Sequence, residues 1–223
     1  NDYLQTTLSL QKDASSSFTK PILSGNEATL LHADPEAEKK VAAGFLFRYA
    51  AVPYEEIWEH VCGLAPNEIS EIIDRALGDK LGPHDIPIRE FESAYLTFEF
   101  ILDYGAYREF KRHRMQTYIA QPATVDLGYV TPPLIEAAGI TDIFEQCMDL
   151  SSRNYEALKN TFPSVAQYLV THAHKRRVIA TMNLRECYHL FKLRTQTTAH
   201  FSLVEVMQRA LDQAKETHPL LFK

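Results

Sequence analysis

The stretch Phe91–Leu102, FESAYLTFEFIL, constrains the fold most. It is rich in aromatic and β-branched side chains and reads as a strand. KRRVIATM, beginning at Lys175, reads as a second strand. Helical signals surround both. In HADPEAEKKVAAGFLFRYA, Asp34 can cap, Pro35 suits a first helical position, and Val41, Phe45 and Phe47 follow with helical spacing. VPYEEIWEHVCGL and APNEISEIIDRALGDK read as two more helices, each with a proline near its start and a glycine near its end. YGAYREFKRHR continues as helix after the first strand. TDIFEQCMDLSSRNYEALKN, with Thr141 as cap, PSVAQYLVTHA, NLRECYHLFKLR and AHFSLVEVMQRALDQAKE complete the set. LGPHDIP is a loop, and QPATVDLGYVTPP is irregular with room for one short strand. The sum is an α+β class: a helix-rich domain with a small antiparallel sheet flanked by helices.

The chain of 223 residues is long enough for a single sizeable core. Its net charge of −6 speaks against a broad nucleic-acid surface, so any basic site must be local. The apolar runs VAAGFLF and LVEVM are too short to span a bilayer. The first residues are polar and lack the apolar segment of a secretory signal. Cys62, Cys147 and Cys187 are odd in number and form no CxxC pair. They read as reduced thiols of a cytoplasmic protein. Residues 1–27 are polar, carry a serine run and show no sustained periodicity. They read as a linker or N-terminal extension, with the domain in 28–223. The first residue is Asn1, which suits a piece of a longer chain.

Two basic clusters stand out against the acidic total. The first is Arg108, Lys111, Arg112, His113 and Arg114. As a helix end it would be favoured by the dipole. However, four adjacent basic residues cannot share one face, and His113 between two arginines suits a neutral imidazole. The following MQTYIAQ is weakly polar and reads as packed. Half-buried arginines need anions, and phosphate matches the guanidinium fork. In the second cluster, Arg185, His189 and Lys192 share a helix face, and Asn183 can cap that helix. On the residues alone, an amphipathic helix with a wet basic face is the favoured reading. His172 and His174 have a spacing that suits two ligands only on a strand, and no Cys or carboxylate follows, so no metal is expected. Gly82, Pro83, His84 and Asp85 suit a ligand loop or a plain turn alike. GxGxxG, GxxxxGK and GxSxG are all missing, which removes support for dinucleotide-type Rossmann, P-loop and α/β-hydrolase chemistry.

FESAYLTFEFILDYGAYREFKRHR resembles the strand–helix segment of the flavin-dependent thymidylate synthases (the ThyX family), which ends in Arg-His-Arg. TMNLRECYHLFKLRTQTTAHFSL resembles the same family's second signature, and ATLLHADPEAEKKVAAGFLFRYA its opening strand and helix. The resemblance runs from Ala28 to the C-terminus. It implies a ThyX-like fold, a homotetramer with FAD held between subunits, and methylation of dUMP to dTMP with NADPH and methylenetetrahydrofolate. It places Glu92, Arg112, His113, Arg114, Asn183, Arg185 and His189 at the flavin. It places Arg108, Glu109 and Gln167 on the nucleotide side, and Arg194 at the uracil as the catalytic position.

The departures fall mostly on the nucleotide side. The family's Ser-x-Arg-Tyr falls here on Pro122, Thr124 and Val125. A phosphate-gripping arginine falls on Gln167, and a substrate-binding glutamine on Glu109. Ser93 replaces a histidine and His189 an asparagine, and the loop keeps His84 without the family's His-x-Thr-Pro order. Each charge-assisted hydrogen bond to phosphate is worth roughly 1.5–3 kcal/mol. Losing two arginines and a serine costs about 5 kcal/mol, several thousand-fold in affinity. The expectation is therefore a family member with an eroded dUMP site. It is either still a synthase or a non-catalytic domain that supports oligomerisation or pairs with a catalytic ThyX-type domain.

Overall fold

A computed structural model describes residues 2–18, 26–78 and 85–223. Its frame is a pair of long strands, β2 (Tyr95–Asp103) and β4 (Lys175–Asn183). They pair antiparallel along their full length, from Tyr95 opposite Asn183 to Asp103 opposite Lys175. β1 (Ala28–Ala33) adds to β2 and β3 (Thr117–Ala120) to β4, giving the antiparallel order β1-β2-β4-β3. The period-two alternation of β2 explains its burial: Leu96, Phe98, Phe100 and Leu102 point into the core with Val178, Ala180 and Met182 of β4. On the other face the Thr97 and Thr181 hydroxyls meet at 2.9 Å and Arg177 pairs with Glu99 at 2.5 Å.

Helices cover the core face. α2 (Ala37–Phe47), α3 (Tyr54–Cys62) and α4 (Pro66–Leu77) form one group. α10 (Phe201–Thr217) buries Leu203, Val206, Met207, Ala210 and Ala214, a helical stripe laid on β1 and β2. α9 (Leu184–Arg194) buries Leu184, Cys187, Leu190 and Phe191. Phe98 stacks on Phe100 at 5.4 Å and meets Phe191 edge-on, while Phe100 meets Phe110 edge-on at 5.2 Å. The expected helix-rich α+β fold with a small antiparallel sheet is what forms.

Several local expectations change. α2 starts at Ala37, because Asp34 folds into a turn: its carboxylate accepts the Glu36 N–H at 3.0 Å and pairs with Lys40 at 2.6 Å. Phe91–Ser93 lie in a 3₁₀ turn, and the strand begins at Tyr95. The helix after β2, α5 (Tyr104–Phe110), ends before the basic run, so Lys111–Arg114 form a turn. Gln116 reaches back to the Phe110 carbonyl at 3.0 Å and fixes that reversal. MQTYIAQ does not pack as expected: it holds the edge strand β3, with Ile119 69% and Met115 66% exposed. Within 1–27, α1 (Asp2–Ala14) is helical, with no buried residue and with Asp2 and Lys12 at the ends its dipole favours. Ser15–Ser17 follow as a 3₁₀ turn, and residues 19–25, Gly82, Pro83 and His84 lie outside the described residues.

No helix among the described residues is long and apolar enough to cross a membrane, and no three His, Cys, Asp or Glu among them are grouped to hold a metal ion. His174 instead has a structural place. It is 1% exposed, and the Thr171 N–H donates to its Nδ1 at 3.1 Å, so Nδ1 is the bare nitrogen. Burial holds its pKa below the ordinary 6.5. The unfolded chain therefore takes up this proton more readily than the native one. The stability tied to neutral His174 is complete above the ordinary value and is lost as pH falls through it toward the native value. The urea midpoint should drop between about pH 7.5 and about pH 5.5, and the drop should be smaller in His174→Asn.

Candidate functional site

Two strand ends build the site. Asp103 closes β2 and its Oδ1 accepts the Ala106 N–H at 3.0 Å, which starts α5. Asn183 closes β4 and its Oδ1 accepts the Glu186 N–H at 2.8 Å, which starts α9 as its sequence position predicts. Because the strands are antiparallel, the two helices leave from opposite ends of the sheet. α9 therefore runs back toward α5 and carries its last residue, Arg194, to Glu109.

His113 joins these parts. It is 5% exposed, with Nδ1 3.0 Å from Glu186 Oε1. Arg194 Nε donates to His113 Nε2 at 3.0 Å. A guanidinium can only donate, so Nε2 is unprotonated and the imidazole proton sits on Nδ1, donated to Glu186. His113 is thus neutral, as the sequence suggests. Arg194 Nη1 pairs with Glu109 Oε2 at 2.9 Å, and the same oxygen lies 3.4 Å from the His200 N–H. His200 Nδ1 lies 3.0 Å from Ser202 Oγ, whose hydroxyl donates to Asp103. Gly105 lets this chain close up: a Cβ there would lie 2.9 Å from His200 Nε2 and 3.0 Å from Asp103 Oδ1.

The basic face of α9 is not simply wet. Arg185 donates to the Pro87 carbonyl at 2.8 Å and pairs with Glu92 at 2.7 Å, and Lys192 donates to the Asp85 carbonyl at 3.1 Å. These contacts clamp the segment 85–92 onto the helix. Burial would raise the Glu92 carboxyl, but hydrogen bonds and charges from Arg89 and Arg185 outweigh it and hold it below its ordinary value. His189 is exposed on the same helix, its ring 5.3 Å from that of His113. It also borders a cleft of about 790 Å³ lined by Pro87, Phe191, Lys192 and Leu211 among others.

Arg108, Lys111, Arg112 and Arg114 are exposed rather than half-buried. Among the described residues no carboxylate pairs with them, and Lys111 lies over the Tyr107 ring. The nucleotide-side positions are not gathered into a grip. Thr124 donates to Asp126 at 2.7 Å, so an acid occupies that turn beside Pro122 and Val125. Gln167 is exposed on a 3₁₀ turn packed against α7 (Thr141–Leu158) and the short α8 (Pro163–Ala166), and its side chain makes none of the hydrogen bonds around His113. Ser93 donates to the Glu90 carbonyl.

Sequence reasoning missed Glu186, His200 and Ser202. Glu186 had a visible signal, since Asn183-x-x-Glu186 has capping-box spacing. Here its N–H uses the cap while its carboxylate turns to His113. Replacing His113 with Ala leaves the buried Glu186 carboxylate and the Arg194 Nε without partners. The loss should be about 2–4 kcal/mol, read as a lower denaturant midpoint at unchanged slope.

Comparison with known proteins places this architecture. The family model for thymidylate synthase complementing protein (Thy1) matches residues 29–220. A UPF0159 protein of Chlamydia muridarum is 30% identical over 194 residues, and one of Thermoplasma acidophilum 29% over 188. The chain spans only 36% and 38% of those two relatives, though the matches cover 85% and 83% of the chain. The flavin-dependent thymidylate synthase of Geobacter sulfurreducens is 26% identical over 204 residues, covering 87% of this chain and 84% of that relative. The crystal structure of thymidylate synthase X from Helicobacter pylori with FAD and dUMP shares the fold at a TM-score of 0.62 and 18% identity, covering 88% of this chain and 97% of the other. The chain belongs to the thymidylate synthase complementing protein family.

Proposed function

We propose that this chain is a Thy1-family domain that holds FAD, has lost the grip on a nucleotide substrate, and assembles with further copies of itself or with a catalytic domain of the same type. The observation that carries this reading is the state of Arg194. Two of its donors are taken inside the protein, one by Glu109 at 2.9 Å and one by His113 at 3.0 Å. Three N–H donors of the guanidinium are left over, but the acid at 109 fixes the direction of the fork and sets a negative charge beside any incoming phosphate. Thr124 is tied to Asp126, and Gln167 carries no charge where the resemblance expects an arginine.

The flavin side fits its ligand better. Arg112 and Arg114, with Arg108 and Lys111, are exposed and uncompensated, which suits a diphosphate. His189 borders a cleft of about 790 Å³ whose lining includes Pro87, Tyr188, Phe191 and Leu211, a volume that suits a ring system. Asn183, Arg185 and Glu92 complete the proposed set. FAD, when bound, supplies hydride transfer from NADPH. This chain's own part is to position and shield it: Arg112 and Arg114 bind charge, Arg185 fixes the segment 85–92, and neutral His113 supports the turn between them. A synthase reading keeps one observation in its favour, since Arg194 and the Arg-His-Arg turn are all present.

Titration with FAD, followed by gel filtration, separates these readings. The protein should retain FAD and elute yellow. Up to about 1 mM dUMP should leave the melting temperature unchanged, and dUMP, methylenetetrahydrofolate and NADPH together should yield no dTMP. Formation of dTMP would establish the synthase, and a colourless eluate would remove the flavin assignment.

A further inference from the structure

The contact between His113 and Arg194 can exist in one protonation state only. Arg194 Nε donates to His113 Nε2 at 3.0 Å, while Nδ1 lies 3.0 Å from Glu186 Oε1 and gives its proton there. A guanidinium has no acceptor and keeps its charge at any working pH. A second proton on the imidazole must therefore go to Nε2, the one bare nitrogen. It would point at the Arg194 N–H, donor against donor and cation against cation. The two side chains cannot stay in contact once the ring is charged.

The surroundings decide which of them moves. His113 and Glu186 are both buried, and charging the ring strengthens their contact, since a neutral donor becomes a cation beside a carboxylate. The turn that carries His113 is held as well: its N–H donates to the Phe110 carbonyl at 3.2 Å, and Gln116 donates to the same carbonyl. Arg194 is less constrained. It is the last residue of α9, it is half-buried, and its other tie runs to Glu109 at 2.9 Å. The charged and titratable groups around the pair are accounted for. α9 supplies Glu186, Arg194 and the exposed His189, whose ring lies 5.3 Å from that of His113. α5 supplies Glu109, α10 follows from His200, and the turn itself supplies the exposed Arg112 and Arg114.

We infer that His113 is a proton gate on Arg194. With the ring neutral, the arginine is locked between His113 and Glu109. Proton uptake at Nε2 keeps His113 on Glu186 and expels the arginine Nε. The fork then hangs on Glu109 alone, with four of its five N–H groups free. An anion met by the released arginine is bound together with one proton. That consequence rests on the proposed reading of the site, whereas the movement itself needs neither FAD nor nucleotide.

NMR of the ¹⁵N-labelled protein from about pH 8 to about pH 5.5 tests the gate. The Arg194 Nε–H signal is identified by its loss in Arg194→Met, and the state of the His113 ring is read from its nitrogen shifts. Protection of the Nε–H from exchange, relative to free arginine at the same pH, should fall at least about tenfold in step with charging of the ring. In Arg194→Met the ring should take up its proton about tenfold more readily, because the neighbouring cation is gone. In His113→Gln, an amide that can accept from Arg194 and donate to Glu186 without titrating, protection should persist across the whole range. A charged His113 beside a still protected Arg194 would overturn the gate. A ring that stays neutral throughout would overturn it too, as would the same loss of protection in His113→Gln. None of these readouts involves FAD, dUMP or dTMP, so failure of the gate and failure of the proposed function are told apart.

Discussion

The contact of His113 with Glu186 on one side and Arg194 on the other organises the centre of this protein. It ties the turn after α5 to both ends of α9, two helices that start from opposite ends of the sheet. One neutral ring satisfies a buried carboxylate and a guanidinium at once. Burying Glu186 and the imidazole without this pairing would cost more than the surrounding apolar contacts could offset locally. The basic run must therefore leave the helix at Phe110, so that His113 turns inward while Arg112 and Arg114 turn out.

From that constraint follows the division of the site. The outward arginines stay open to an anion, while Arg194 is drawn inward by Glu109. The chain keeps the fold of its family, but what it can bind depends on which donors remain free. Glu109 on α5 holds Arg194 through an ion pair outside the sheet.

Much of the frame was legible in the sequence. The aromatic and β-branched run of β2, the strand β4 and the i, i+3, i+4 stripes of α9 and α10 carry their own periodicity. Asn183 was readable as a cap because capping is local chemistry. The turn at Lys111–Arg114 was not readable, because its helical propensity is overruled by two partners 73 and 81 residues away. β3 was hidden for a similar reason: four residues pair with β4 only because that strand presents a free edge. Glu186 looked like an ordinary first-turn acid, and only the fold shows where its side chain goes.

The central claim is that Arg194 is held in place by the protein's own groups. A double-mutant cycle of Arg194→Met and Glu109→Gln, measured by chemical denaturation, tests it most directly. The account predicts a coupling energy of about 1–3 kcal/mol, since the two side chains meet in a half-buried ion pair. Additive effects within about 0.3 kcal/mol would contradict it, and would mean that Arg194 is free to meet a ligand.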